Sequence, residues 1–371
     1  MCGLGLHTCI HGATAPPTGP NMKSTATYLK WPIIITIIGL VLSFWLGYRT
    51  LGGVSGGLSF LFIGAVLAVL EISLSFDNAI VNASKLKDMT PAWQRRFLTW
   101  GILIAVFGMR IIFPLAIVVV AAEITPWAAL DLALRDPVEY GRIMSDAHIS
   151  ISAFGGTFLM MVALTFFFDQ QKEVDWIKAL ECRIRRWASV RGLEIGLVLA
   201  LVLTFSAILP DEESASFLFA AIGGMVTFLA VELLSNILDR ESRSADLARG
   251  GFGAFLYLEV LDASFSFDGV IGAFALTNNL LLIAIGLGIG AFYVRGMTIL
   301  MVERGTLTEF RYLEHGAFYS ILALSIVMYV ESVAHVPEVF TGLVGASLIL
   351  VALWSSLRYN RLNPAQNPAG E

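Results

Sequence analysis

Apolar runs of about twenty residues alternate with short polar breaks along almost the whole chain. A membrane-spanning helix needs roughly 20 such residues, ~17–25 with tilt. Read this way, the pattern predicts ten spans, at 31–49, 57–84, 97–122, 149–168, 192–209, 214–238, 252–276, 281–302, 316–333 and 338–357. The fifth begins with Glu194 and the ninth ends near Glu331, so these two are marked least sharply. The fold class that follows is an all-α polytopic membrane protein with about ten transmembrane helices.

Loop charge supports the count. The N-terminus, the loops after spans two, four, six and eight, and the C-terminus share one side. They hold nineteen of the 24 Lys and Arg residues, while the opposite loops hold only Arg49, Arg135 and Arg142. Basic loops stay in the cytoplasm, so both termini are expected inside; for a bacterial chain the membrane is the inner, plasma membrane. Adding or removing one span would scramble this split. Arg110 and Arg295 lie within spans.

Composition agrees. The 371 residues are 57% hydrophobic and 14% charged, with a mean hydropathy of +0.76, where a soluble domain carries about 25% charged residues. Residues 1–30 form a tail rich in Gly, Pro and Thr, and 12–20 read as disordered. The tail lacks the charged head, apolar centre and cleavage site of a signal peptide, and Met22 is an alternative start. Cys2, Cys9 and Cys182 show no zinc or disulfide spacing and are expected to be unlinked thiols.

One polar stretch interrupts the second span, Glu71-Ile-Ser-Leu-Ser-Phe-Asp77-Asn78, and it returns in the seventh as Asp262-Ala-Ser-Phe-Ser-Phe-Asp268-Gly269. Acids inside a span cost ~2.5–3.5 kcal/mol each on insertion scales, so they are functional candidates by default. The copies lie five spans apart, and an odd offset makes them cross in opposite directions. Gly101 precedes Arg110 by nine residues in span three, as Gly286 precedes Arg295 in span eight. Phe154-Gly-Gly-Thr-Phe158 in span four loosely matches His315-Gly-Ala-Phe318 in span nine. Two inverted-topology repeats are therefore expected, 31–209 and 214–357, followed by a tail at 358–371, with spans two to four and seven to nine as the core.

On a regular helix Glu71, Ser75 and Asn78 share one face, and Ser73 and Asp77 another; Glu259, Asp262, Ser266 and Gly269 likewise align. Unwound turns at 74–76 and 265–267 would let both acids of each copy converge. The donors available are carboxylate, amide, hydroxyl and carbonyl oxygens, which favour hard ions such as Mg²⁺, Ca²⁺ or Mn²⁺. Four carboxylates at close range would not all stay ionised, so metal entry would displace protons. Arg110 and Arg295 are candidate charge partners, either for the motif acids or for Glu232 or Glu259. The plainer alternatives are that the serines bond back to helical carbonyls and that Glu232 locks helix packing. His148, His315 and His335 read as surface residues.

Two loops carry charge. Residues 169–191 hold six basic residues, with Trp176, Ile177, Leu180, Ile184 and Trp187 at helical spacing. They read either as an amphipathic helix on the cytoplasmic face or as a solvated linker. The loop 123–148, with Asp131, Asp136, Glu139, Asp146 and His148, reads as a solvated outer loop.

At its two motifs the chain resembles the TerC family of integral membrane proteins, within the LysE-like transporter group. That family carries an acid six residues before an Asp-Asn pair in one half, as Glu71 stands before Asp77-Asn78. In its other half an acid stands six before an Asp and a small residue, as Asp262 stands before Asp268-Gly269. The stretch 265–277 is similar to the second family motif, and Arg295 stands where the family has an Arg. Where the family usually has Ser-Ile-Pro after the second Asp, this chain has Gly269-Val-Ile271. The resemblance implies divalent metal efflux, chiefly of manganese, with the acidic motif residues Glu71, Asp77, Asp262 and Asp268 as ligands; on the chain's own residues Asn78 is expected to support them, and Arg110, Arg295 and Glu259 are candidate charge partners. Mn²⁺ is thus the expected substrate, with Ca²⁺ and Mg²⁺ as alternatives. The expected partners are the metal ion and the bilayer, with no nucleic acid; a homo-oligomer is compatible. No nucleotide-binding loop, hydrolase motif or His-Glu-x-x-His is present, so the chain is not expected to be an enzyme. The alternative is a membrane scaffold in a metal or envelope stress response, its acids locking helices together.

Overall fold

A computed structural model describes residues 25–242 and 251–363, apart from 88, 171, 173, 188, 189, 191 and 335. The side chains of Phe267 and Asp268 also fall outside it. Cys2, Cys9, His335 and the expected disordered tail at 12–20 lie outside the described residues.

The elements are α1 (Thr25–Gly47), a π-turn (Tyr48–Gly52), α2 (Gly53–Leu74), α3 (Phe76–Leu86), α4 (Pro91–Leu103), a π-helical segment (Ile104–Ile112) and α5 (Phe113–Ala121). Next come α6 (Pro126–Arg135), α7 (Pro137–Asp146), α8 (His148–Phe168), α9 (Lys178–Trp187), α10 (Leu193–Ile208) and α11 (Asp211–Ser242). After these follow α12 (Phe252–Leu276), α13 (Leu280–Glu303), α14 (Thr306–Glu309), α15 (Leu313–Glu331) and α16 (Glu338–Leu362). No strand occurs among the described residues. The protein is an all-α polytopic membrane protein.

Among the described residues, seven stretches are long and apolar enough to cross a membrane by length and composition alone. One of them, Leu29–Leu74, contains two of the expected spans, joined through the π-turn. Gly52 and Gly53 there have φ of +78° and +71°, a left-handed pair that reverses the chain so that α2 packs back on α1. The shorter α10 and the acid-bearing α12 occupy the remaining expected positions. α16 runs to Leu362, so the first residues of the expected C-terminal tail are helical.

The core sits on α3, α8, α12, α13 and α15, while α1, α2, α11 and α16 expose apolar side chains such as Trp45, Phe62, Phe219 and Leu343 at the periphery. The two halves exchange partners: α3 packs on α15, and α12 on α8. The ends also sort. Ser84 bonds Glu314, Arg311 Nη1 donates to the Tyr359 hydroxyl at 2.8 Å, and the 169–191 linker joins them at this end. At the other end His148 Nε2 lies 3.9 Å from Glu331.

Two loop readings change. The stretch 123–148 is not a plain solvated loop. Thr125 and Asp136 cap α6 and α7, each followed by Pro at the first helical position, and Ala129, Ala133, Tyr140 and Met144 are buried beneath them. Its acids have local partners: Asp131 pairs with Arg135, while Glu139 and Asp146 both pair with Arg142. In the 169–191 linker, α9 turns Glu181 inward. Its carboxylate takes Lys172 Nζ at 2.6 Å, the amides of Trp176 and Ile177, and the Tyr319 hydroxyl at 3.2 Å. Burial by itself would raise the Glu181 carboxyl, but these bonds and the nearby His315 and Lys172 hold it below the usual carboxylate range. His315 is buried rather than surface-exposed, its Nε2 2.8 Å from the Val174 carbonyl. Cys182 is an exposed free thiol.

Candidate functional site

The helix carrying the first motif copy is interrupted within 74–76, but it is not unwound and does not bring Glu71 and Asp77 onto one partner set. Ser75 stands between α2 and α3 with φ −96° and ψ 15°, although Ser75 N still bonds Glu71 O and Ala79 N bonds Ser75 O. The interruption is confined to one residue. The second copy does not break: α12 is continuous from Phe252 to Leu276, and the Ser266 hydroxyl bonds back to the Asp262 carbonyl at 2.8 Å. Ser73 and Ser264 bond back in the same way. Ser75 differs, donating to Glu71 Oε1 at 3.2 Å.

Glu71, Ser75, Asn78 and Asn82 follow at offsets of four, seven and eleven, and so line one face across the break. That face meets α12. Asn78 Nδ2 donates to Asp262 Oδ1 at 2.5 Å, and Asn82 Nδ2 to the same oxygen at 3.3 Å. At the other end of the contact a Cβ on Gly269 would come within 3.0 Å of Glu71 Oε2. The start of each motif thus meets the end of the other, so the two copies run antiparallel.

Each leading acid has an Arg from the following span. Arg110 pairs with Glu71 and also donates to the Ala105 carbonyl at 2.7 Å and the Ser266 hydroxyl at 3.2 Å. It emerges from the π-helical segment, a deformation frequent at functional sites. Arg295 Nη2 lies 3.9 Å from Asp262 Oδ2, and its guanidinium stacks 3.9 Å over the Phe97 ring. Neither Arg hydrogen-bonds Glu259. That carboxylate is buried with no hydrogen-bond partner on either oxygen, next to Gly101, where a Cβ would meet Glu259 Oε1 at 2.5 Å and Arg295 Nη2 at 2.6 Å.

Glu71, Ser75, Asn78, Asn82 and Asp262, with both arginines, surround a cavity of about 10 Å³. The amide oxygens of Asn78 and Asn82 are buried there without a hydrogen-bond donor. Their amide nitrogens are committed to Asp262, so the bare oxygens are acceptors, and a hard cation would satisfy them. Asn82 was not singled out from sequence, although it stands four residues after Asn78 on the same face.

Asp77 faces elsewhere. Its Oδ1 accepts from the Asn78 amide at 2.8 Å and its Oδ2 from the Ser320 hydroxyl at 2.9 Å. Glu71 and Asp77 line a second cavity together. Among the described residues no three His, Cys, Asp or Glu side chains converge as a metal cluster. Of the five ligands expected, Glu71, Asn78 and Asp262 come together, Asp77 lies one step away, and the Asp268 side chain is outside the described set.

A family described as protein of unknown function (DUF475) matches residues 76–363, and the chain belongs to that family. No curated protein and no solved structure matches it.

Proposed function

We propose that the chain is a secondary transporter exporting a divalent cation, with Mn²⁺ as the leading substrate. One observation carries this reading: two buried amide oxygens lack a donor beside the carboxylates of Glu71 and Asp262. The antiparallel motif helices and the resemblance of both motifs to TerC point the same way, and Mn²⁺ rests on that resemblance. Ca²⁺ and Mg²⁺ suit the same oxygens.

In this reading Glu71, Asn78 and Asp262 form the centre, with Asp77 and Asp268 as the acids on its path. Arg110 and Arg295 compensate the carboxylates until a cation takes their place, and uptake displaces protons or draws on the membrane potential. The end of α3 before Lys85, the 169–191 linker and Arg311 lie at one end, which we assign to the cytoplasm together with both termini. The chain performs no bond chemistry in this scheme.

The test is Mn²⁺ flux into dye-loaded proteoliposomes for wild type and Asp262→Asn. A loss of ten-fold or more is expected; equal flux overturns the reading. The scaffold alternative draws on α9 and the residue before it, where Ile177, Leu180 and Trp187 are exposed beside Arg183 and Arg186. It gains if Asp262→Asn melts earlier with flux unchanged.

A further inference from the structure

The two arginines beside the motifs are held very differently. Arg110 is fixed on three sides, by Glu71, the Ala105 carbonyl and the Ser266 hydroxyl. Arg295 is 4% exposed, yet neither Nη1 nor Nη2 has a hydrogen-bond partner. Asp262 Oδ2, at 3.9 Å, is too far for a hydrogen bond. The Phe97 ring attracts the guanidinium by its face, without specifying which way the N–H groups point. Arg295 is the one of the pair that is free to turn.

Glu259 lies one turn before Asp262 on the same face of α12. It is 6% exposed, and both its oxygens are unpartnered. A Cβ on Gly101 of α4 would lie 2.5 Å from Glu259 Oε1 and 2.6 Å from Arg295 Nη2, so both atoms approach one point and the glycine leaves the way between them open. A buried carboxylate with neither a hydrogen bond nor a cation of its own is strongly disfavoured, and such a group takes up a proton instead. The cation nearest to hand is engaged, because Arg295 balances Asp262. The other charges on the helices around α12 face elsewhere. Arg110 is bound to Glu71, while Lys85 of α3 and Glu232 of α11 stand at Tyr257. Arg96 of α4 lies over Trp93, Arg142 of α7 is held by its own helix, and His148 of α8 stands by Glu331.

We propose that Glu259 is the proton site that couples transport: a cation arriving between Glu71 and Asp262 frees Arg295, which turns over Phe97, pairs with Glu259 and expels its proton. The carboxyl O–H bond breaks, its electron pair stays on the carboxylate and the proton passes to water; nothing is oxidised or reduced. Departure of the cation reverses the exchange. The coupling role rests on the transporter reading; the proton on Glu259 in the metal-free protein does not.

The experiment is infrared spectroscopy of the purified full-length protein at neutral pH, metal-free and with Mn²⁺, together with dye-reported proton release in weak buffer. Metal-free wild type is expected to show the carbonyl stretch of a protonated carboxyl that Glu259→Gln lacks. Asp262→Asn should lose the same band although Glu259 is intact, because Arg295 is then free to pair with it; a merely structural Glu259 would not respond. On Mn²⁺ binding the wild-type band should disappear, and Glu259→Gln should release about one proton fewer per ion than wild type. If Glu259→Gln does not fold, Asp262→Asn carries the test alone. A band that survives in Glu259→Gln or in Asp262→Asn, or equal proton release from wild type and a Glu259→Gln that binds Mn²⁺, overturns the proposal. A wild type that shows the Glu259 band but binds no Mn²⁺ supports the proton site and overturns the Mn²⁺ reading instead.

Discussion

Separating Arg110 from Glu71 should be the most damaging single change in the membrane core. Both side chains are 3% exposed, and Arg110 also serves the Ser266 hydroxyl and the Ala105 carbonyl. Removing one partner of a buried pair leaves an uncompensated charge and costs ~3–5 kcal/mol. The two neutral bonds lost with the guanidinium add about 1 kcal/mol each. Arg110→Met should therefore cost on the order of 5 kcal/mol, and Glu71→Gln somewhat less, because a neutral amide still accepts from the guanidinium. The double variant should recover much of the loss, since a neutral pair leaves no stranded charge. The assay is a double-mutant cycle on the purified protein, unfolded by SDS in mixed micelles and followed by tryptophan fluorescence. A coupling of 2 kcal/mol or more, about the upper range for contacting residues, is expected. Additivity within about 0.5 kcal/mol would refute the pairing.

Three further outcomes are expected. Asn82→Ala should weaken Mn²⁺ binding on the order of ten-fold, the lower range for residues supporting a metal site; isothermal titration reads this, and an unchanged affinity removes Asn82 from the site. Gly286→Ala should cost ~1–3 kcal/mol by overpacking, because its Cβ would lie 2.5 Å from Leu67 Cβ between α13 and α2; a melt equal to wild type contradicts that close approach. The Glu181 carboxyl is held below its ordinary value, so its contribution is whole above the unfolded pKa of ~4.3 and is lost as pH falls through the lower folded one. Hydrogen exchange in 172–187 should accelerate below about pH 4 in wild type, and already at pH 7 in Glu181→Gln; pH-independent protection in wild type would count against Glu181 as the anchor.

What the chain discloses before folding depends on periodicity. Span positions are legible because some twenty apolar residues must be consecutive. The Glu71–Ser75–Asn78 face is legible because offsets of four and seven fix it. The Gly-Arg spacings match between the two halves, but they left the partners of Arg110 and Arg295 open, and the structure sets each by the first acid of a motif. Other features depend on contacts no spacing encodes. Ser75 and Ser266 occupy equivalent positions, yet one marks a break and donates to a carboxylate, while the other lies in a continuous helix and donates to a backbone carbonyl. The π-helical register at 104–112 leaves no mark in residue type. Thr341 belongs to a helix outside the repeated core, and only the approach at Gly342 and Gly345 brings it to Asp77's neighbourhood. By contrast, the signals for α6 and α7 were present in Thr125-Pro126 and Asp136-Pro137, each a cap followed by proline.

The central claim is that the antiparallel motif faces hold a divalent cation between them. Crystals soaked in Mn²⁺ and measured at the manganese absorption edge test it most directly. The account predicts one anomalous peak between α2/α3 and α12, about 2.0–2.6 Å from oxygens of Glu71, Asp262 and Asn78, with the Arg110 guanidinium displaced from Glu71. Saturating Mn²⁺ with no peak there, and Arg110 still paired with Glu71, would contradict it.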